Sequence, residues 1–295
     1  MKSTSIAYLH AALALCAVLA PLRRANAQAS PAITTQLTVP DSAHFQQIIL
    51  RDGSTIFGRV VAVNSDTVAF QTTGAGSMQI PLTSIKQVKL IASSDIHDGD
   101  YWFPNPNSTR LFFAPTGQML KQGEGYVSDY ELFFPGVAVG ISDYFSIGGG
   151  VSLIPAALSD QAYYITPKLG ISVNDKVHLA TGALIVGAAG GTGGVYYGVG
   201  TFGDGNASVS LGAGYGFAGG NVESKPVAMA GAELRLSKRI GFVTENYLLP
   251  VSDNNVVYSF GLRFMGEKLT TDLALFNVSG SNAIGLPFVD FVFRF

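Results

Sequence analysis

The chain has 295 residues, of which 13% are charged and 35 are glycine, against a usual charged share of about 25%. Beyond residue 20 its apolar content comes by alternation rather than in long runs, which argues against a helical membrane protein and for an all-β barrel that meets two solvents. Setting aside Lys2, Arg23 and Arg24 leaves 15 basic and 20 acidic residues, a net charge of −5 that argues against nucleic acid as a partner.

Residues 6–20 form an apolar stretch behind Lys2, and Ala25-Asn26-Ala27 has the small-x-small form of a signal peptidase site. The stretch is shorter than the roughly 20 residues of a spanning helix, so 1–27 reads as a secretory signal peptide. The sole cysteine, Cys16, lies inside it. Leu15 stands where a lipoprotein box requires a small residue, which argues against lipidation. A cut after Ala27 leaves a thiol-free mature chain with neither disulfide nor thiolate metal site.

Residues 28–43 are small and polar, a flexible mature N-terminus. Residues 44–92 read as a separate small β module with strands at 47–51, 54–64, 67–72, 78–80 and 87–91. Asp52-Gly53 between apolar runs is a hairpin signal, because both turn positions tolerate positive φ. Five short strands with a long, bent second one resemble the SH3-like or Sm-like small barrels. Leu50-Arg51-Asp52-Gly53-Ser54, taken with Ile80-Pro81-Leu82-Thr83-Ser84-Ile85, is similar to modules that precede barrels in uncharacterised bacterial envelope proteins. The resemblance implies a periplasmic interaction or spacer role with a partner of its own. Residues 93–107 form a linker whose prolines deny regular pairing. Its Trp102 suits either the membrane interface or packing against the small module.

From Ser108 onward the chain divides into about twelve strands: 108–115, 126–141, 144–154, 162–172, 176–189, 194–202, 206–217, 225–236, 239–249, 255–264, 268–278 and 286–295. Short turns alternate with longer loops, the asymmetry of an outer-membrane barrel, and an even count returns both ends to one side. On this reading 116–125, 155–161, 218–224 and 279–285 face outward from the cell, and turns such as 142–143 and 237–238 face the periplasm.

Alternation also assigns the faces. In 255–264, Val256, Tyr258, Phe260, Leu262 and Phe264 must face lipid. The same logic turns Glu233, Arg235, Glu245, Arg263, Asp272, Asp290 and Arg294 into the lumen, because Arg or Lys at the bilayer midplane costs about 2–4 kcal/mol. These mixed signs imply cross-strand ion pairing, and four acidic against three basic residues imply a weak cation preference if the lumen conducts. Ser146, Gly148, Gly150 and Ser152 share one face, as do Ser208, Ser210, Gly212, Gly214 and Gly216. A charged wall therefore faces a low-relief wall with volume between them, whether for water, a small ligand or a plug.

The last strand places Val289, Phe291, Phe293 and the terminal Phe295 on one face. It resembles the C-terminal signal of bacterial outer-membrane proteins, and that resemblance implies that Phe291, Phe293 and Phe295 serve the barrel assembly machinery. As a whole, residues 108–295 resemble uncharacterised Gram-negative outer-membrane β-barrels, which implies outer-membrane lipid as surroundings and a periplasmic position for the N-terminal module.

Catalytic signals are poor. His44 and His97 lie in flexible or linker regions, and His178 is a lone strand histidine. The two G-x-G-x-x-G matches, Gly198–Gly203 and Gly214–Gly219, lack the strand-to-helix context that the fingerprint requires. Asp98, Asp100 and Asp204 lack calcium-loop spacing and fit turn chemistry. The sequence thus predicts no enzyme, no cofactor and no metal. It points to a narrow pore or small-solute binding barrel with a periplasmic interaction module, or alternatively to a structural, docking envelope protein.

Overall fold

The structure, a computed structural model, describes residues 39, 44–74, 76–97, 100–154, 161–188, 190–250, 256–281 and 285–295. The signal peptide reading at 1–27, the rest of the mature start through 43 except Val39, and Asp98 lie outside the described residues. The chain forms two compact units, 1–103 and 104–295.

The first unit contains strands β1 (His44–Leu50), β2 (Thr55–Val63), β3 (Thr67–Thr72), β4 (Ser77–Pro81) and β5 (Ile85–Ala92). They make one antiparallel sheet in the order β4-β3-β2-β1-β5. Two short strands, β6 (Ile96–His97) and β7 (Asp100–Tyr101), pair with each other. Ile48, Val68, Phe70 and Ile85 are fully buried because alternate residues of each strand turn to one core. The turn after β1 is closed by the Ser54 N–H donating to Asp52 Oδ1 at 2.8 Å, which holds the Asp52 carboxyl below its ordinary value. Trp102 stacks at a tilt on His97, ring centres 4.3 Å apart, within this unit.

The second unit is a closed antiparallel barrel. Its wall strands are β8 (Gly125–Tyr130), β9 (Phe134–Ser142), β10 (Phe145–Val151), β11 (Tyr163–Asn174), β12 (Val177–Ala188), β13 (Gly191–Gly203) and β14 (Ala207–Ala218). They continue as β16 (Val227–Ser237), β17 (Ile240–Leu248), β18 (Val256–Met265), β19 (Leu269–Val278) and β20 (Leu286–Arg294). A two-residue strand, β15 (Asn221–Val222), only folds back on the end of β14. Each wall strand pairs with its neighbours in sequence, and β20 pairs with β8, so twelve strands close without an edge.

The count of twelve agrees with the sequence reading, but two of the expected strands are corrected. Residues 108–115 are not a wall strand, and 126–141 is not one strand but the hairpin β8–β9. Its turn has Glu131 and Leu132 at φ 54° and 64°, the left-handed pair of a primed hairpin turn, usually filled by Asn-Gly. Because neither residue is a turn former, the pattern reads straight through. The Glu131 N–H donates to Val289 O at 2.9 Å, and Glu131 Oε1 accepts the Val289 N–H at 3.1 Å, so bonds to β20 offset the strained backbone.

The wall's outer surface carries large exposed apolar side chains on successive strands, among them Leu169, Phe202, Leu211, Leu234, Phe260 and Phe293. Its inner face carries Ser128, Lys168, Ser210, Glu233, Arg263 and Asp290, all buried. A closed sheet with apolar residues outside and polar ones inside is the distribution that a hydrocarbon solvent selects.

Candidate functional site

Residues 104–120 run inside the barrel, and 121–124 turn out at its end. Leu111 N–H donates to Ala114 O at 2.8 Å, Thr116 N–H to Thr109 O at 3.1 Å, and Arg110 pairs with Pro115, so the segment is a short hairpin with its tip at 111–114. Two prolines and two asparagines between 104 and 108 keep its entrance out of the strand ladder. It leaves beside Gly140, whose N–H donates to Glu124 O at 2.9 Å, at the barrel end where Gly125 meets Phe295. This corrects the expectation that 116–125 is an external loop: Thr116 and Leu120 are buried, and the connection at the opposite end of the barrel is the three-residue turn 131–133.

The charged wall is built around this hairpin. Arg263 uses all five of its N–H groups. Nε and Nη2 grip Asp272 at 2.9 and 2.8 Å, Nη1 reaches Glu233 at 2.9 Å and Asn107 O at 3.0 Å, and Nη2 also reaches Leu111 O at 2.8 Å. Glu245 Oε2 accepts the successive N–H groups of Phe112, Phe113 and Ala114 at 2.8, 3.0 and 3.0 Å, and its Oε1 accepts the Tyr247 hydroxyl at 2.6 Å. Asn105 Nδ2 donates to Glu233 at 2.7 Å. Arg110, from the hairpin, pairs with Asp290 and lies over the Tyr130 ring at 4.5 Å.

Asp272 and Asp290 stand directly opposite each other on β19 and β20, an arrangement that is unfavourable for two carboxylates by themselves. The buried wall around the hairpin holds Glu233, Glu245, Asp272 and Asp290 against Arg263. The hairpin supplies what the wall lacks: the Arg110 charge for Asp290 and three N–H groups for Glu245. Burying ions without such partners costs several kcal/mol each, so Glu245 and Asp290 depend on the hairpin for theirs.

The other two predicted residues lie apart from this cluster. Arg235 donates to Asn206 Oδ1 and Lys238 O at 3.2 and 2.7 Å, and Arg294 pairs with Glu124. Neither touches the hairpin tip.

Packing seals the same zone. Phe112 is fully buried and meets Phe276 and Phe288 edge-on, with ring centres 5.7 and 5.5 Å apart. Glycines make the room: a Cβ on Gly231 would lie 2.2 Å from Leu111 Cδ1, and one on Gly117 would lie 2.2 Å from His178 O.

Opposite the charged wall, between the hairpin and the Ser/Gly strands, a cavity of about 580 Å³ remains. Gly148 and Gly149 of β10 and Gly212 and Gly214 of β14 line it, and so do tyrosines 126, 130, 164, 197 and 247. The low-relief wall is therefore not bare, because tyrosine rings from adjacent strands lie across some of its glycines, as Tyr164 does over Gly150. Lys168 also borders the cavity and anchors the hairpin, donating to Gln118 O at 2.6 Å and Thr109 O at 3.1 Å. The sequence reading missed Arg110, Lys168 and the inward tyrosines. Arg110 lies in a segment patterned like a wall strand, and nothing local marks the others as lining a cavity.

His178 Nδ1 bonds Ser172 Oγ at 2.8 Å. Asp204 sits in the β13–β14 turn. Its partial burial is outweighed by Lys176 at 2.7 Å and the N–H groups of Asn206 and Ala207, which hold the carboxyl below its ordinary value. Among the described residues no group of three His, Cys, Asp or Glu is placed to hold a metal ion.

No protein-family model and no curated relative matches the chain. Solved structures similar to it include a KdgM porin in complex with disordered oligogalacturonate, at 9% identity and a TM-score of 0.43, covering 58% of this chain and 95% of that one. A NanC porin aligns at 10% identity and a TM-score of 0.40 over 58% and 97%. Outer-membrane expressed OmpT of Vibrio cholerae aligns at 9% identity and a TM-score of 0.33 over 86% and 95%.

Proposed function

We propose that this chain is an outer-membrane barrel stoppered by its own residues 104–124, which holds a small solute in the cavity beside the stopper rather than conducting freely. One observation carries the reading: a hairpin that completes the charges of the wall leaves a single-sided cavity of about 580 Å³, within the usual range for small-molecule sites. The proposed lumen set is Glu233, Arg235, Glu245, Arg263, Asp272, Asp290 and Arg294. Glu233, Glu245, Arg263 and Asp290 bond the stopper directly, Asp272 holds Arg263 and Arg294 pairs with the stopper's Glu124, so their charge is engaged there and is not offered to passing ions. The lipid-facing Phe291, Phe293 and Phe295 remain the proposed signal for the assembly machinery, and the five-stranded unit the proposed SH3-like periplasmic interaction module.

Planar-bilayer recording tests this. The purified protein should be electrically silent, whereas the double variant Arg110→Met, Glu245→Ala should conduct intermittently as the hairpin leaves the lumen. Steady conductance of the unaltered protein would replace the binding barrel with an open pore.

A further inference from the structure

Building on that binding-barrel reading, we propose that the cavity takes a compact aromatic or apolar molecule with one anionic group, and that Lys168 receives the anion. The body of the ligand follows from the walls. Phe113 from the hairpin tip, Val195 and Val199 from β13, and Tyr126, Tyr164 and Tyr197 surround the space. Offset and edge-on ring contacts of this kind favour flat apolar partners.

The head group follows from the charges. Arg110 is spent on Asp290, and Arg263 on Glu233 and Asp272. Lys168 is 7% exposed and bonds only two carbonyls, Thr109 O and Gln118 O. Among the described residues no carboxylate lies within ion-pair distance of it. An ammonium carries three N–H groups, so Lys168, which lines the cavity, keeps one donor beyond those given to its two carbonyls. A buried cation without a counter-ion is costly, and a ligand carboxylate would supply the missing charge as the Arg110–Asp290 pair does elsewhere in the lumen. The one carboxylate on the cavity lining, Glu131, sits on the β8–β9 turn at the rim and is occupied by the Val289 N–H.

Calorimetry on the full protein in lipid nanodiscs tests this, with naphthoate and its neutral counterpart naphthalenemethanol as probes and protein-free nanodiscs as the blank. Naphthoate should bind at least about tenfold more tightly than the alcohol, roughly the 1.4 kcal/mol of one decade. Lys168→Met should erase that preference while the alcohol still binds, and Lys168→Arg should restore it. Ser146→Phe, which fills the cavity, should weaken both probes. Equal affinities, or a preference that survives Lys168→Met, would overturn the anionic assignment and leave the cavity reading intact. Failure of both probes to bind, or binding indifferent to Ser146→Phe, would overturn both.

Discussion

At the level of single residues, the lumen illustrates how one side chain can organise a distant segment. Glu245 satisfies three consecutive N–H groups that no strand could pair, because the hairpin tip turns away from every wall strand. The β8–β9 turn shows the reverse case, in which neighbours hold a local conformation that the residues disfavour. A left-handed backbone costs an L-residue about 1–2 kcal/mol. Leu132, at φ 64° and 61% exposed, gives up little packing if it is shortened. Leu132→Gly is therefore expected to stabilise the folded barrel by about 1 kcal/mol, read as a higher temperature for the loss of the compact, heat-modifiable band on gels. A lower temperature would mean that the leucine side chain contributes more than the strain it imposes.

Among elements, the hairpin and the wall fit by steps of a single methyl group. Gly231 lies beneath Leu111, and the same wall site is flanked by Thr244 O, 2.8 Å from where a Cβ would stand. Gly231→Val should therefore either expel the hairpin tip or force the strands apart. Overpacking of this kind typically costs 1–3 kcal/mol, on the order of what one tip hydrogen bond to a charged group contributes. The expected result is a barrel that still inserts but whose residues 111–114 exchange amide hydrogens much faster. Unchanged protection of the Phe112 and Phe113 amides would show that the seat is looser than its contacts imply. The β20–β8 seam depends on the same region, since the Phe295 N–H donates to Gly125 O at 2.9 Å directly after the hairpin ends.

For the whole barrel, closure dictates which connections share an end. Turns 143–144, 175–176, 204–206, 238–239 and 266–268 lie with Gly125 and Phe295, and 131–133 lies opposite them. If the termini of the barrel face the periplasm, a cysteine at Leu132 should react on intact cells with an impermeant maleimide, and one at Lys238 should react only after the outer membrane is opened. Labelling in the opposite order would invert the barrel.

Period-two alternation suffices to identify an all-β barrel, its last ten wall strands to within a few residues, and the side of the sheet on which Glu233, Glu245, Arg263, Asp272 and Asp290 stand, because a strand's facing is a local property repeated at every second residue. Three things were decided only by the tertiary structure. The Glu131-Leu132 turn exists because β20 holds it, although neither residue favours it. Residues 108–115 have the composition of a strand but lie inside the lumen, because Arg110 and the amides of the tip meet counter-charges more than 100 residues away in the chain. The cavity is what remains once that hairpin has taken the charged side. Local pattern specifies a face, but it carries no information about what will fill the space that the faces enclose, since that is settled by volume and charge balance across the closed barrel.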